Sequence, residues 1–209
     1  LSAVENADII LLCVKPAVVH AVCEQIAPAI NHKLLISAAA SVPTSLIEEP
    51  LDNVPVVRAM SGTPAAIGSA MTGLCAGTAA TDEHLDLARA LFDAVGRTVV
   101  LDEKHMDAVT GLSASGPAFI YVIIESLAEA GVKVGLPRDV ATLLAAQATL
   151  GAAGMVLDTG SHPALLKDEV TTPAGCTIDG LLELEDGGLR VTLIKAVVKA
   201  TERAGKLKD

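Results

Sequence analysis

Up to about residue 103 the chain alternates short, unbroken apolar runs with helical patterns, and beyond it the strand signal disappears. This change of rhythm constrains the fold more than any other feature. "ADIILLCVKP" (7–16) predicts a buried strand ending in a turn, and "AVVHAVCEQIAPAI" (17–30) a helix after it. Further strands are expected at "KLLISAAA" (33–40), "VPVVRAM" (54–60), "MTGLCAG" (71–77) and "TVVLDE" (98–103). A short helix near Pro43–Glu49 and a longer one over 82–95 separate them. Buried strands alternating with helices imply βαβ units and a mainly parallel sheet. From His105 onward helices are expected at about 105–113, 116–131, 138–159, 162–170, 175–186 and 188–206, broken by Gly, Pro and Gly-Gly. The expected organisation is an α/β domain over 1–101 and an all-helical domain over 102–209.

Composition narrows what such a chain does. Of its 209 residues 51% are apolar, enough for a substantial core, and Ala, Val and Leu dominate, which favours closely packed helices. A net charge of -10 with no basic run argues against a nucleic-acid partner. Cys13, Cys23, Cys75 and Cys176 lack CxxC or Cys/His spacing, so they read as free thiols in a reducing compartment. The five histidines are scattered and no metal is expected. Val140 to Leu157 is uncharged and long enough for a membrane span, but its Ala, Gly, Thr and Gln content is only weakly hydrophobic. A buried helix at an interface is the expected reading, with no membrane partner.

No GxGxxG occurs, so the phosphate loop that usually follows the first strand of a dinucleotide-binding fold is absent. The front, "LSAVENAD", reads as the end of a helix, so the chain is expected to be a fragment of a longer protein or to have lost its beginning.

Several stretches are candidates for chemistry. Lys15 and Pro16 in "CVKP" and the small residues of "SAAAS" (37–41) end successive strands, where ligands bind in open α/β sheets. Each also reads as an ordinary turn. "RAMSGTPAA" (58–66) ends a third strand with turn residues. In "EKHMDAVTGLSASGPAFIY" (103–121), Gly111, Gly116 and Pro117 interrupt an apolar helix pattern, so two helices are expected to meet there, with Ser115 as N-cap and Pro117 in the first turn. "GLSASG" lacks the preceding strand of a hydrolase elbow. "DEVTTPAGCTID" (168–179) is open to two readings. Thr172 caps a helix begun by Pro173, or the amides around Gly175, Cys176 and Thr177 receive an anion.

Taken in order, "ADIILLCVKP", "LISAAASV", "VVRAMSGTPA", "DAVTGLSASGPAFIY", "GVKVGLPRDVA", "AAQATLGAAGM" and "HPALLKDEVTTPAGCTIDGLLELEDGGLR" resemble pyrroline-5-carboxylate reductase, the last enzyme of proline synthesis. The resemblance runs the length of the chain, and "AVTGLSASGPA" and the last segment are its most specific parts. It implies an α/β Rossmann-like N-terminal domain, here lacking its first βαβ segment, followed by an all-α dimerisation domain. It also implies an obligate homodimer, often assembled into decamers, that reduces the C=N bond of pyrroline-5-carboxylate with NADPH or NADH. By resemblance the cofactor contacts come from Cys13, Val14, Lys15 and Pro16 and from Ala38, Ala39 and Ala40, with Glu169 nearby. The substrate carboxylate falls to the amides of Cys176 and Thr177 with the Thr172 hydroxyl. Thr110 and Glu103 face the ring nitrogen, Thr110 as hydrogen-bond partner and Glu103 as an electrostatic support for the iminium cation. A cytoplasmic location is expected, with a mitochondrial address left open.

The sequence departs from the family pattern at Gly62, where an asparagine is usual, at Ser41, where a glycine is usual, and at Glu169, where asparagine is frequent. Two other readings compete. One is a non-catalytic dimeric module derived from the family. The other is a dehydrogenase of the β-hydroxyacid type, which the carboxyl-terminal motif does not suit.

Overall fold

The computed structural model describes residues Leu1–Lys206. Strands β1 (Ile9–Leu12), β2 (Leu34–Ser37), β3 (Val56–Met60), β4 (Ala70–Ala76) and β5 (Gly96–Val100) form one sheet in that order. β1, β2 and β3 run parallel in consecutive pairs, as do β4 and β5, while β4 is antiparallel to β3. The reversal follows from chain length. Residues 61–69 are too few for the crossover of about a dozen residues that a parallel neighbour needs, and they fold instead as a 3-10 turn, Thr63–Ile67, closed by Gly68 at φ 69°.

Every residue of β2 and β3 is buried, as continuous apolar runs between two helical layers require. Helices α1 (Ser2–Glu5), α2 (Val19–Ile26) and α3 (Thr44–Glu48) precede β3. α2 turns Val19, Cys23 and Ile26, spaced at helical intervals, onto Leu12, Leu35, Ile47 and Val56. On the other face α4 (Asp82–Asp93), started by a reciprocal Thr81–His84 capping box, sets Ala88 against Leu34, Ile36, Val57 and Leu74. The apolar ladder over these two faces is the main source of the domain's stability.

After β5 the chain forms a turn at Glu103–His105, α5 (Met106–Val109), a π-helical turn at Thr110–Ala114, and α6 (Gly116–Lys133). The expected meeting of two helices with a Ser115 N-cap is replaced by one helical path through a widened turn. Ser115 does not cap: its N–H and hydroxyl both donate to the Thr110 carbonyl, at 3.0 and 2.9 Å. Pro117 supplies the reason. It has no N–H, and in a regular α-helix its ring would press on the carbonyl four residues back, so the extra residue of a π turn relieves the conflict without breaking the helix.

The chain forms two compact units, Leu1–Pro117 with residues from Ala196 onward, and Ala118–Lys195. The break between compact units falls inside α6, some way past the change of rhythm after Leu101, because the 103–114 segment packs on the sheet. Met106 is buried with Met60 and Cys75, and Gly111 lies so close to Thr201 that an added Cβ would sit 2.8 Å from the Thr201 nitrogen.

The second unit holds most of α6, then α7 (Arg138–Thr159), α8 (Pro163–Glu169), α9 (Cys176–Asp186) and the first part of α10 (Leu189–Lys206). Its small core is Ala128, Ala141 and Ala145 with Ile124 and Val132, and Gly131 admits Ala141 closely. Large apolar side chains such as Leu143, Leu144, Leu150 and Leu165 are exposed. Glu103–Lys133 and Arg138–Thr159 are long and apolar enough to cross a membrane by length and composition.

Candidate active site

The C-terminal ends of β1 and β2 are stitched together: the Ala38 amide donates to the Leu12 carbonyl at 3.0 Å. Cys13, Val14, Lys15 and Pro16 therefore lie beside Ala38, Ala39 and Ala40 at one edge of the sheet. Cys13 and Lys15 are exposed, and Lys15 is extended ahead of the 3-10 turn that Pro16 begins. Ala39 is buried, and Ala40 packs on the Met60, Cys75 and Met106 cluster, which Val109 and Ala114 also join. The end of β3 reaches the same place, since a Cβ on Gly62 would lie 3.5 Å from the Ala114 Cα and 3.6 Å from the Ser113 carbonyl oxygen. A Cβ would thus meet only ordinary contacts there. Three strand ends and the π turn make one surface of small side chains.

That surface fits the nicotinamide end of a dinucleotide. Alanines let a flat ring approach backbone, and Lys15 supplies a solvent-facing cation.

Ser41 carries an unexpected strain. It is fully buried at φ 63°, in the left-handed region that favours glycine, and its hydroxyl has no hydrogen-bond partner.

Glu103 is held by three bonds. The Arg58 Nη1 and the Thr44 amide both donate to Oε1 at 2.7 Å, and the Thr44 hydroxyl donates to Oε2 at 2.7 Å. Arg58 is only 2% exposed and Glu103 32%. Partial burial pushes the Glu103 carboxyl up, but the bonds from Arg58 and Thr44 outweigh it and hold the group below the ordinary carboxylate range. The carboxylate expected to support an iminium cation is bonded to both Arg58 and Thr44 in this clip. Burial alone pushes the Cys23 thiol up to about 11. Cys75 beside Arg58 also rises to about 11, through burial first, with Arg58 pulling down and Glu103 pushing up.

Thr110 lies on the π turn, where its hydroxyl donates to the Met106 carbonyl at 2.9 Å. With its proton committed, only its oxygen lone pairs remain, so toward a ligand it is an acceptor. π turns recur at functional sites because they re-aim a side chain without ending the helix.

In the second compact unit α9 does not begin at Pro173. Its first residue is Cys176, behind Gly175 as N-cap, and no side chain caps it. The Thr172 carbonyl accepts the Gly175 amide at 3.0 Å, with Ala174 left-handed at φ 55°. A Cβ on Gly175 would collide with the Thr172 hydroxyl oxygen, so that hydroxyl lies against the start of α9. Of the two readings of "DEVTTPAGCTID", capping by Thr172 is therefore replaced by a helix whose first amides, at Cys176 and Thr177, are unspent donors. Glu169 is exposed at the end of α8 and lines an apolar cavity with Met155, Val156 and Leu166.

Sequence reading missed Arg58 and Thr44. The signal for Arg58 was present: a charge inside a strand that is buried on both faces demands a counter-charge. Among the described residues no three His, Cys, Asp or Glu side chains gather as a metal site would require.

With this geometry in hand, comparison with known proteins is specific. The sequence model for the pyrroline-5-carboxylate reductase dimerisation domain matches residues 103–207. A model described as NADP oxidoreductase, coenzyme F420-dependent, matches residues 1–41. Pyrroline-5-carboxylate reductase of Glycine max is 46% identical over 98% of this chain, which spans 75% of that protein. That of Methanosarcina acetivorans is 46% identical over 98% of this chain and 76% of its own. The structure of the Plasmodium falciparum reductase with NADP bound superposes with a TM-score of 0.91 at 31% identity, over 100% of this chain and 80% of that one. The chain belongs to the pyrroline-5-carboxylate reductase family.

Proposed function

We propose that this chain works as its family does, as an NAD(P)H-dependent reductase that converts 1-pyrroline-5-carboxylate to L-proline. The observation that carries the reading is the identity of nearly half the residues over 98% of the chain.

The chemistry asks little of the protein beyond placement. A protonated imine is already electrophilic. When hydride reaches the ring carbon of the C=N bond, the π electrons move onto nitrogen and neutralise it, so no proton moves in that step. Bound NAD(P)H supplies the hydride. The chain's own residues have three tasks. In the second unit the amides of Cys176 and Thr177, with the Thr172 hydroxyl, make the positive end of α9 a place for a carboxylate, the role that the family resemblance gives them. Thr110, whose own proton is engaged by Met106, accepts the N–H of the iminium and so favours the protonated substrate over the neutral imine. The alanines at 38–40 and the Lys15–Pro16 turn hold the dinucleotide's reactive end against the ring, converting an encounter into an oriented pair.

The exposed apolar faces of the second unit support assembly with another copy, in keeping with the dimerisation domain matched there. We extend this to a homodimer and, by family resemblance, to a decamer, which light scattering on purified protein distinguishes.

The carboxylate site is tested by Cys176→Pro. Proline is well tolerated at the first position of a helix, and Gly175 is already extended at ψ 164°, as a residue before proline should be. The variant keeps α9 and deletes one donor. A raised KM for pyrroline-5-carboxylate with unchanged NAD(P)H affinity supports the assignment; an unchanged KM refutes it.

A further inference from the structure

One carboxylate joins three segments that are far apart in sequence. Glu103 opens the segment that leads to Thr110. Through Oε1 it binds Arg58, in the middle of β3, where the register sets Arg58 beside Ser37 on one side and Cys75 on the other. Through both oxygens it binds Thr44, the first residue of α3. Residues 38–43, which carry the alanines of the cofactor edge, are therefore fixed at one end by β2 and at the other by Glu103.

A second, independent observation marks this loop as held against its own preference. Ser41 lies left-handed and fully buried with its hydroxyl unsatisfied. Such a conformation persists only where its surroundings over-determine it. The far end of α3 carries a matching attachment that does not touch the loop: Glu48 accepts the Thr78 amide at 2.7 Å and the Thr78 hydroxyl at 2.5 Å. α3 is thus pinned at both ends by a carboxylate on a threonine, and only the first pin reaches the cofactor edge.

We propose that Glu103 and Arg58 are positioning residues for the cofactor edge, acting through Thr44 to hold the 38–43 loop in register with the Thr110 turn. The proposal rests on the reductase reading for the identity of the ligand. It assigns Glu103 to the dinucleotide side of the reaction and not to the substrate ring.

The test uses the full-length protein and four forms: wild type, Thr44→Val, Glu103→Gln and Glu48→Gln. NAD(P)H affinity is read by fluorescence titration, and protection of amides 38–43 by hydrogen exchange. Thr44→Val, the mild variant, removes one donor and leaves the buried ion pair intact. It and Glu103→Gln are expected to weaken NAD(P)H binding by roughly tenfold, the scale of one lost charge-assisted hydrogen bond, and to expose amides 38–43. Glu48→Gln, which loosens the other end of α3, should change affinity by less than about twofold on the same scale.

Two results overturn the proposal. One is an unchanged NAD(P)H affinity in Thr44→Val and Glu103→Gln with a raised KM for pyrroline-5-carboxylate, which would place Glu103 on the substrate. The other is an equal loss of affinity in Glu48→Gln, which would reduce the effect to general loosening. If wild type binds NAD(P)H but does not turn over pyrroline-5-carboxylate, the reductase reading fails, and the ordering of the four affinities still decides the positioning role.

Discussion

The Arg58 guanidinium and the Glu103 carboxylate meet at 2.7 Å, one almost wholly buried in the central strand and the other a third exposed at its rim. The unequal burial makes the pair asymmetric. Replacing Glu103 leaves a cation in the core with no counter-charge, and Arg58 already has Nε and Nη2 without hydrogen-bond partners. Replacing Arg58 leaves a carboxylate that water can reach. Glu103→Gln is expected to cost about 3 kcal/mol, at the lower end for a broken buried pair, and Arg58→Met clearly less. Urea unfolding of the two variants checks the order.

The same pair sets an acid limit. Because the folded Glu103 carboxyl lies below its ordinary value, where burial raises it but the Arg58 and Thr44 bonds more than compensate, its contribution is present above the unfolded pKa of about 4.3. It is lost as pH falls through the lower folded value. Wild type should therefore lose stability below about pH 4.3 by a component that Glu103→Gln lacks. Unfolding free energies of both proteins between about pH 3 and pH 6 test this across the ordinary carboxylate range.

Ser41→Gly should stabilise the fold by roughly 1 kcal/mol. A left-handed non-glycine residue costs about 1–2 kcal/mol, and the glycine's greater chain entropy returns part of that. Loss of the unsatisfied hydroxyl adds to the gain. Thermal unfolding reads it directly, and a destabilised Ser41→Gly would mean that the hydroxyl has a partner in solution.

Gly111→Ala acts in the opposite sense. The new methyl would collide with the Thr201 hydroxyl oxygen and lie 2.8 Å from the Thr201 nitrogen. Backbone cannot yield as a flexible side chain does, so a loss of about 1–3 kcal/mol is expected. Activity should fall as well, because the π turn carrying Thr110 must shift. A fully stable, fully active variant would show that α10 does not set this turn.

Much of the fold was legible because each strand announces itself. "KLLISAAA" and "VPVVRAM" are apolar on both faces, which only a sheet covered by helices on both sides accommodates, and the structure buries β2 and β3 throughout. "ADIILLCVKP" holds β1, but not as the buried strand expected, because β1 lies at the edge of the sheet with Leu11 54% exposed. The direction of β4 was not legible, since "MTGLCAG" looks the same in either sense and the short 61–69 link alone decides it. Gly111, Gly116 and Pro117 signalled an interruption, but a widened turn and a helix break leave the same trace in sequence. In "DEVTTPAGCTID" the Thr-Pro signal named a helix start that the left-handed Ala174 delays to Cys176. The clip was hidden for a different reason. Arg58 and Glu103 stand 45 residues apart, and only the fold brings a rim carboxylate onto a strand's interior charge.

The reaction is followed by NAD(P)H absorbance with pyrroline-5-carboxylate and the purified full-length protein while L-proline is quantified. One proline is expected for each NAD(P)H oxidised, with rates that depend on both substrates. Tight NAD(P)H binding without any oxidation or proline would contradict the reductase reading.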